Sequence, residues 1–170
     1  MSDIDLSTAL LSDSFDRVRD LVASVCDGLD VDRATFRVDP DANTVAWLVW
    51  HLSRVQDDHV AGLSGETQAW ETWRDRFDLP FDDDATGYGQ SSDDVAAVRV
   101  DGELLAGYHA DVDALTRRYL DGLDAAKLER VVDERWDPPV TAAVRLVSVL
   151  GDCLQHLGQA SFVLGVADRR

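Results

Sequence analysis

Histidine is scarce in this chain, and the spacing of its histidines is informative. Four histidines, His51, His59, His109 and His156, are the whole supply of imidazole. Asp152 and His156 stand four residues apart, so on a helix they project from one face, one turn apart, the spacing at which two side chains can share an ion. Gln155 and Gln159 border the same stripe. His51 lies between Trp50 and Leu52 inside an apolar run, where an imidazole needs a partner to offset its burial. A carboxylate and two imidazoles from two facing helices would make a His-His-Asp site for a divalent cation, with a position left for water or a thiolate. The same residues also read as an ordinary Asp152–His156 ion pair beside a core histidine bonded to a backbone carbonyl, and spacing leaves both readings open.

Other candidates carry a blander reading beside the functional one. Asp58 follows His51 by seven residues, two turns along the same face, and could support the site from outside. Equally, Asp57-Asp58-His59 reads as a solvated patch near a helix end. Arg54, one turn after His51, could contact an anionic group of a substrate, or be a surface ion-pair partner. His109 has no spaced partner and is expected on a helix surface. Cys153 adjoins Asp152, which would raise its pKa, and leucines flank it, so a packed, inert thiol is expected. Trp136, just before Pro138-Pro139, and the Trp70/Trp73 pair could line an apolar pocket or fill the core. The chain contains no Gly-rich phosphate loop, GxSxG elbow or HExxH, which removes the usual sequence support for nucleotide hydrolysis, serine-hydrolase chemistry and zincin proteolysis.

Long helices must position these residues. Apolar residues from Leu6 to Leu29 fall at helical spacing, with Gly28 as a stop, giving a first helix over 4–29. A second is expected from about Thr44 to Leu63, with Asn43 before it, a third over 93–123 and a fourth from Thr141 to Val166. Residues 64–92 read as one short helix and then a loop, a long aromatic-rich connection between helices two and three that could cover a site. Val131-Val132 and Trp136-Asp137-Pro138-Pro139 read as extended chain or turn. The pattern predicts an all-α four-helix bundle occupying one domain, 1–170.

Composition narrows the partners. The chain is 45% hydrophobic and 29% charged, a globular balance, and its apolar runs are too short to cross a bilayer. With 33 acidic against 16 basic residues the formal net charge is −17, the opposite of what a phosphate backbone attracts, so nucleic acid is not an expected partner. The N-terminal residues do not resemble a secretory signal, and Cys26 and Cys153 form neither a CxxC pair nor a disulfide framework. A cytoplasmic protein is the expectation.

Two stretches carry a family resemblance. Asn43-Thr-Val-Ala-Trp-Leu-Val-Trp-His51 through His59 resembles helix two of the DinB-like superfamily, and Asp152-Cys-Leu-Gln-His156-Leu-Gly-Gln159 resembles its fourth-helix HxxxHxGQ motif. The run from Trp136 to Leu150 is similar to the actinobacterial branch that includes mycothiol S-transferases and is related to mycothiol-dependent maleylpyruvate isomerase. Proteins of this superfamily are four-helix bundles with one metal-binding histidine on helix two and two on helix four. The resemblance implies a divalent ion, zinc, nickel, manganese or iron, on His51, Asp152 and His156, where Asp152 stands at a position usually filled by histidine and brings harder, oxygen ligation. Arg54, Asp58, Gln155, Gln159 and Trp136 are then candidates for supporting the ligands or meeting substrate.

The activity so implied is transfer of mycothiol, or a similar small thiol, to an electrophile in detoxification, with mycothiol as co-substrate and no protein nucleophile needed. A thiol-dependent isomerase of the maleylpyruvate type is the alternative within enzymes, and would need basic groups for a dicarboxylate. A non-catalytic bundle, alone or as a homodimer, binding a small ligand or a partner protein, is the alternative outside them.

Overall fold

The long helices that begin at Val45, Gly102 and Ala142 each follow a side chain that accepts from an otherwise unpaired backbone N–H. In the computed structural model, which describes residues 3–170, helix α1 spans Asp3–Cys26. After a one-turn helix α2, Val31–Ala34, helix α3 runs over Val45–Ser64. Its cap is Thr44, one residue beyond Asn43, with the hydroxyl accepting from Trp47 N–H at 3.1 Å. Gly65, at φ 77°, ends α3 by returning its N–H to Ala61 O.

The connection that follows holds α4, Trp70–Phe77, and α5, Ser92–Ala97. Helix α6 spans Gly102–Asp121, α7 Ala125–Glu129, and α8 Ala142–Ala167. Between α7 and α8 lies a small antiparallel hairpin, β1 Val131–Asp133 with β2 Val140–Thr141, where extended chain or a turn was expected.

Helices α1, α3, α6 and α8 form the bundle, α3 and α1 each packing against both α6 and α8. Helix α3 is buried nearly all round, including Trp47, Trp50, Leu52 and Val60, and the core joins it to Phe15, Val18 and Val22 of α1, Leu105, Tyr108 and Val112 of α6 and Leu146, Val149 and Leu157 of α8. The all-α bundle is as the apolar periodicity predicts.

One expected element is divided. The single third helix over 93–123 is two helices, α5 and α6, broken at 98–101. Asp101 takes an extended conformation and caps α6 by accepting from Leu104 N–H at 3.0 Å. At Gly102 a Cβ would lie 2.1 Å from Cys26 O, and its N–H donates to Leu29 O at 2.8 Å. The chain bends there to dock against the end of α1, and only glycine allows that approach.

Candidate metal centre

Helices α3 and α8 face each other and bring His51, Asp152 and His156 together, with one potential ligand atom from each within 4.8 Å of the others. The two imidazole rings meet edge to face, centroids 4.8 Å apart.

Both imidazoles are held through Nδ1. His51 Nδ1–H donates to Thr86 O at 2.5 Å, a carbonyl that can only accept and therefore fixes the neutral tautomer. His156 Nδ1–H donates to Gln159 Oε1 at 3.0 Å. Each ring is left with Nε2 as its lone-pair nitrogen, and His156 Nε2 lies 3.5 Å from Asp152 Oδ1. Hydrogen bonds to the far nitrogen are how metal-ligating histidines are usually oriented. Asp152 Oδ2 is buried and has no hydrogen-bond partner among the described residues. A buried carboxylate oxygen without a partner is costly, and a divalent cation between two imidazole Nε2 atoms would satisfy it. The donor set therefore fits such an ion.

Burial lowers the pKa of His51. That of His156 is raised, chiefly by its contact with Asp152. Trp47, one turn before His51, stacks on its ring at 4.7 Å with planes 13° apart, and its indole N–H donates to Gln90 Oε1 at 2.6 Å. Gly87, at φ 96°, lets the chain pass directly over His51, because a Cβ there would come within 2.6 Å of Nδ1. Thr86, Gly87 and Gln90 escape the sequence reading: Thr86 acts through its carbonyl, and nothing in its side chain signals that. Trp47 carried a signal, its i, i+4 spacing from His51, but reads equally as core.

The remaining candidates divide. Gln159 touches the site, whereas Gln155 returns its amide to Gly151 O on its own helix. Asp58 is half-buried and accepts from Gln68 Nε2 at 2.9 Å. Trp136 is 65% exposed in the loop between the hairpin strands, so it fills neither the core nor a closed pocket. Trp70 is a core residue, and its indole N–H donates to Asp83 O.

Three readings are corrected. Arg54 is neither a substrate contact nor a surface residue. It is fully buried, donating to Ala85 O at 3.0 Å, Gln68 Oε1 at 2.8 Å and Tyr108 Oη at 3.3 Å, with Asp57 3.6 Å away. Asp57 is also fully buried rather than part of a solvated patch, accepting from Ala69 N–H, Trp70 N–H and Tyr108 O–H. His109 is buried rather than on the surface, and burial, aided by the charge of Arg19, pushes its pKa down to about 4. Cys153 is the packed thiol expected, its pKa raised by burial and by Asp152.

Further along the α3/α8 groove, Asp58, His59, Arg145 and the hairpin residues Val132–Arg135 line a cleft of about 500 Å³. Among the described residues no helix is long and apolar enough to cross a membrane.

The family model for mycothiol-S-transferase matches residues 10–168. A crystal structure titled as a conserved protein from Enterococcus faecalis superposes with a TM-score of 0.88 at 31% identity, covering 96% of this chain and 98% of that one. No curated protein matches the chain. With an all-α bundle and a match over nearly its whole length, the chain belongs to the mycothiol-S-transferase family, a DinB-like family.

Proposed function

We propose that this protein is a cytoplasmic, metal-dependent thiol S-transferase that joins mycothiol, or a similar low-molecular-weight thiol, to an electrophile. One observation carries the reading: two histidines with Nδ1 already engaged offer Nε2 beside a buried carboxylate oxygen that has no partner. A divalent cation held by His51, Asp152 and His156 would lower the pKa of an arriving thiol and favour its thiolate.

The chain's own residues then have defined tasks. Thr86 O and Gln159 Oε1 engage Nδ1 of each imidazole and so turn its Nε2 towards the site. Asp152 supplies negative charge, and Trp47 restricts the ring of His51. The substrate thiol gives up its proton to solvent, its sulfur forms a bond to the electrophilic carbon, and the bond from that carbon to the leaving group breaks. Neither protein cysteine supplies the sulfur: both are buried, and burial pushes the Cys26 thiol up to about 12. The isomerase alternative loses its nearest basic contact, because the guanidinium of Arg54 is spent inside the core.

The test is elemental analysis of the purified protein beside His51→Ala and His156→Ala, followed by a conjugation assay with mycothiol and a fluorogenic alkyl halide. Near-stoichiometric metal and thiol-dependent turnover in the wild type, both lost in each variant, are expected. A wild type that takes up no zinc, nickel, manganese or iron, or turnover unchanged in the variants, overturns the reading and favours a ligand-binding or partner-binding bundle.

A further inference from the structure

A second cleft, of about 320 Å³, opens where the C-terminal ends of α3 and α6 meet α7. Leu63, on its wall, lies twelve residues beyond His51 on α3, about 18 Å along the helix, so a compact ligand held here does not touch the metal ligands.

The charge of this cleft runs against that of the molecule. Arg118, Lys127 and Arg130 line it with Glu66 as the single acid, in a chain of net charge −17. By contrast, the cleft at the α1–α2 turn is lined by Asp27, Asp30, Asp101 and Glu103 with no cation, and the α3/α8 cleft sets Arg135 and Arg145 against three acids.

Two of the three cations are held by neutral groups. Lys127 Nζ donates to Gly122 O, and Arg130 Nη2 to Leu63 O at 2.7 Å. Those carbonyls stand at the C-terminal ends of α6 and α3, where partial negative charge would otherwise repel an anion. Covering them fixes both cations on the cleft wall without cancelling their charge. Among the described residues, only Arg118 of the three pairs with a carboxylate, Glu66 at 2.9 Å. Tyr119 adds a polar group in need of an acceptor. It lines the cleft, is 8% exposed, and its hydroxyl has no hydrogen-bond partner among the described residues. A buried hydroxyl left in that state is costly, and an acceptor bound in the cleft would relieve it.

We infer that this cleft binds a small doubly charged oxyanion, a phosphate monoester or a dicarboxylate, with Lys127 and Arg130 bonding to its oxygens and Tyr119 donating its hydroxyl hydrogen to one of them. An ammonium and a guanidinium with N–H donors to spare suit such a group. Because Arg130 immediately precedes β1, the anion ties α7 and the hairpin to the end of α3. The site is independent of the thiol chemistry proposed above.

The probes are inorganic phosphate and malonate, titrated by calorimetry into the full-length, metal-loaded protein at low salt, with melting temperatures compared against sodium chloride of equal ionic strength. Saturable binding of at least one probe is expected, with a melting temperature above that in chloride. Affinity is expected to fall about tenfold in Lys127→Gln and in Arg130→Gln, about threefold in Tyr119→Phe, which keeps the ring and its packing, and not at all in Arg145→Gln. Binding of phosphate alone assigns a phosphate ester, and of malonate alone a dicarboxylate. The site is overturned if neither probe saturates, if wild type, Lys127→Gln and Arg130→Gln bind equally, or if binding disappears in His51→Ala, which would put the anion on the metal. Thiol transfer enters none of these readouts, so the anion site and the transferase reading fail separately.

Discussion

At the scale of single residues, Asp152 decides most. Its Oδ2 is buried without a hydrogen-bond partner, and its carboxylate raises the pKa of His156 while burial lowers that of His51. A proton and a metal ion compete for His156 Nε2, so affinity falls with acidity. Because the pKa of His156 is raised, the loss starts above the ordinary histidine value of about 6.5. Asp152→Asn keeps the shape but removes the charge. It is expected to weaken zinc and manganese by at least about 100-fold and to move the acid-side loss of residual binding to lower pH. Asp152→His is expected to regain zinc affinity while losing manganese, since imidazole is the softer ligand. Competitive chelator titrations between pH 5.5 and 8 measure both, and equal manganese binding by wild type and Asp152→Asn would show that the carboxylate is not a ligand.

At the scale of elements, the segment between α3 and α6 does more than connect. Asp57 accepts the first backbone N–H groups of α4 and the Tyr108 hydroxyl, and Arg54 grips Ala85 O, the residue before Thr86. A buried ion pair on α3 thereby anchors the strip of chain whose Thr86 carbonyl orients His51. Gly87→Ala is expected to push that strip off the ring, since the new methyl would meet His51 Nδ1 and Trp50 in a backbone conformation that disfavours any Cβ. The variant should fold, melt a few degrees lower, and bind zinc about tenfold more weakly; unchanged zinc affinity in a chelator competition would show that the Thr86 contact does not position the ligand. Here lies the limit of what the sequence reveals. Period-3.6 patterning exposes α1, α3, α6 and α8, and i, i+4 spacing exposes Asp152 with His156. A backbone carbonyl at Thr86, a close pass at Gly87 and buried ionic residues at Arg54 and Asp57 depend on tertiary contacts that neither composition nor periodicity encodes. The expectation of a surface His109 fails for the same reason: it rests on the lack of a spaced partner in the sequence, and the burial comes from tertiary packing.

At the scale of the whole molecule, charge is the dominant feature. Arginine supplies all but one of the 16 basic residues, the exception being Lys127, and many are spent on local pairs such as Arg17–Asp13, Arg118–Glu66 and Arg33–Asp168. Such exposed pairs are worth little individually, because water and salt screen them. They cannot neutralise 33 acids, so the remaining carboxylates repel one another more strongly in the compact state than in the expanded chain. Salt acts on both: it weakens the pairs and screens the repulsion, and at about 0.15 M the screening length is already about 8 Å. With acids outnumbering bases two to one, screening of repulsion is the larger effect. The melting temperature of the metal-free protein at neutral pH is expected to rise by about 2–4 °C, equivalent to about 1 kcal/mol for a domain of this size, between low salt and molar sodium chloride. The same scan with an equal osmolarity of a neutral sugar separates screening from solvent exclusion. A melting temperature that falls with salt would mean that the arginine pairs, rather than the excess of carboxylates, govern the electrostatic part of its stability.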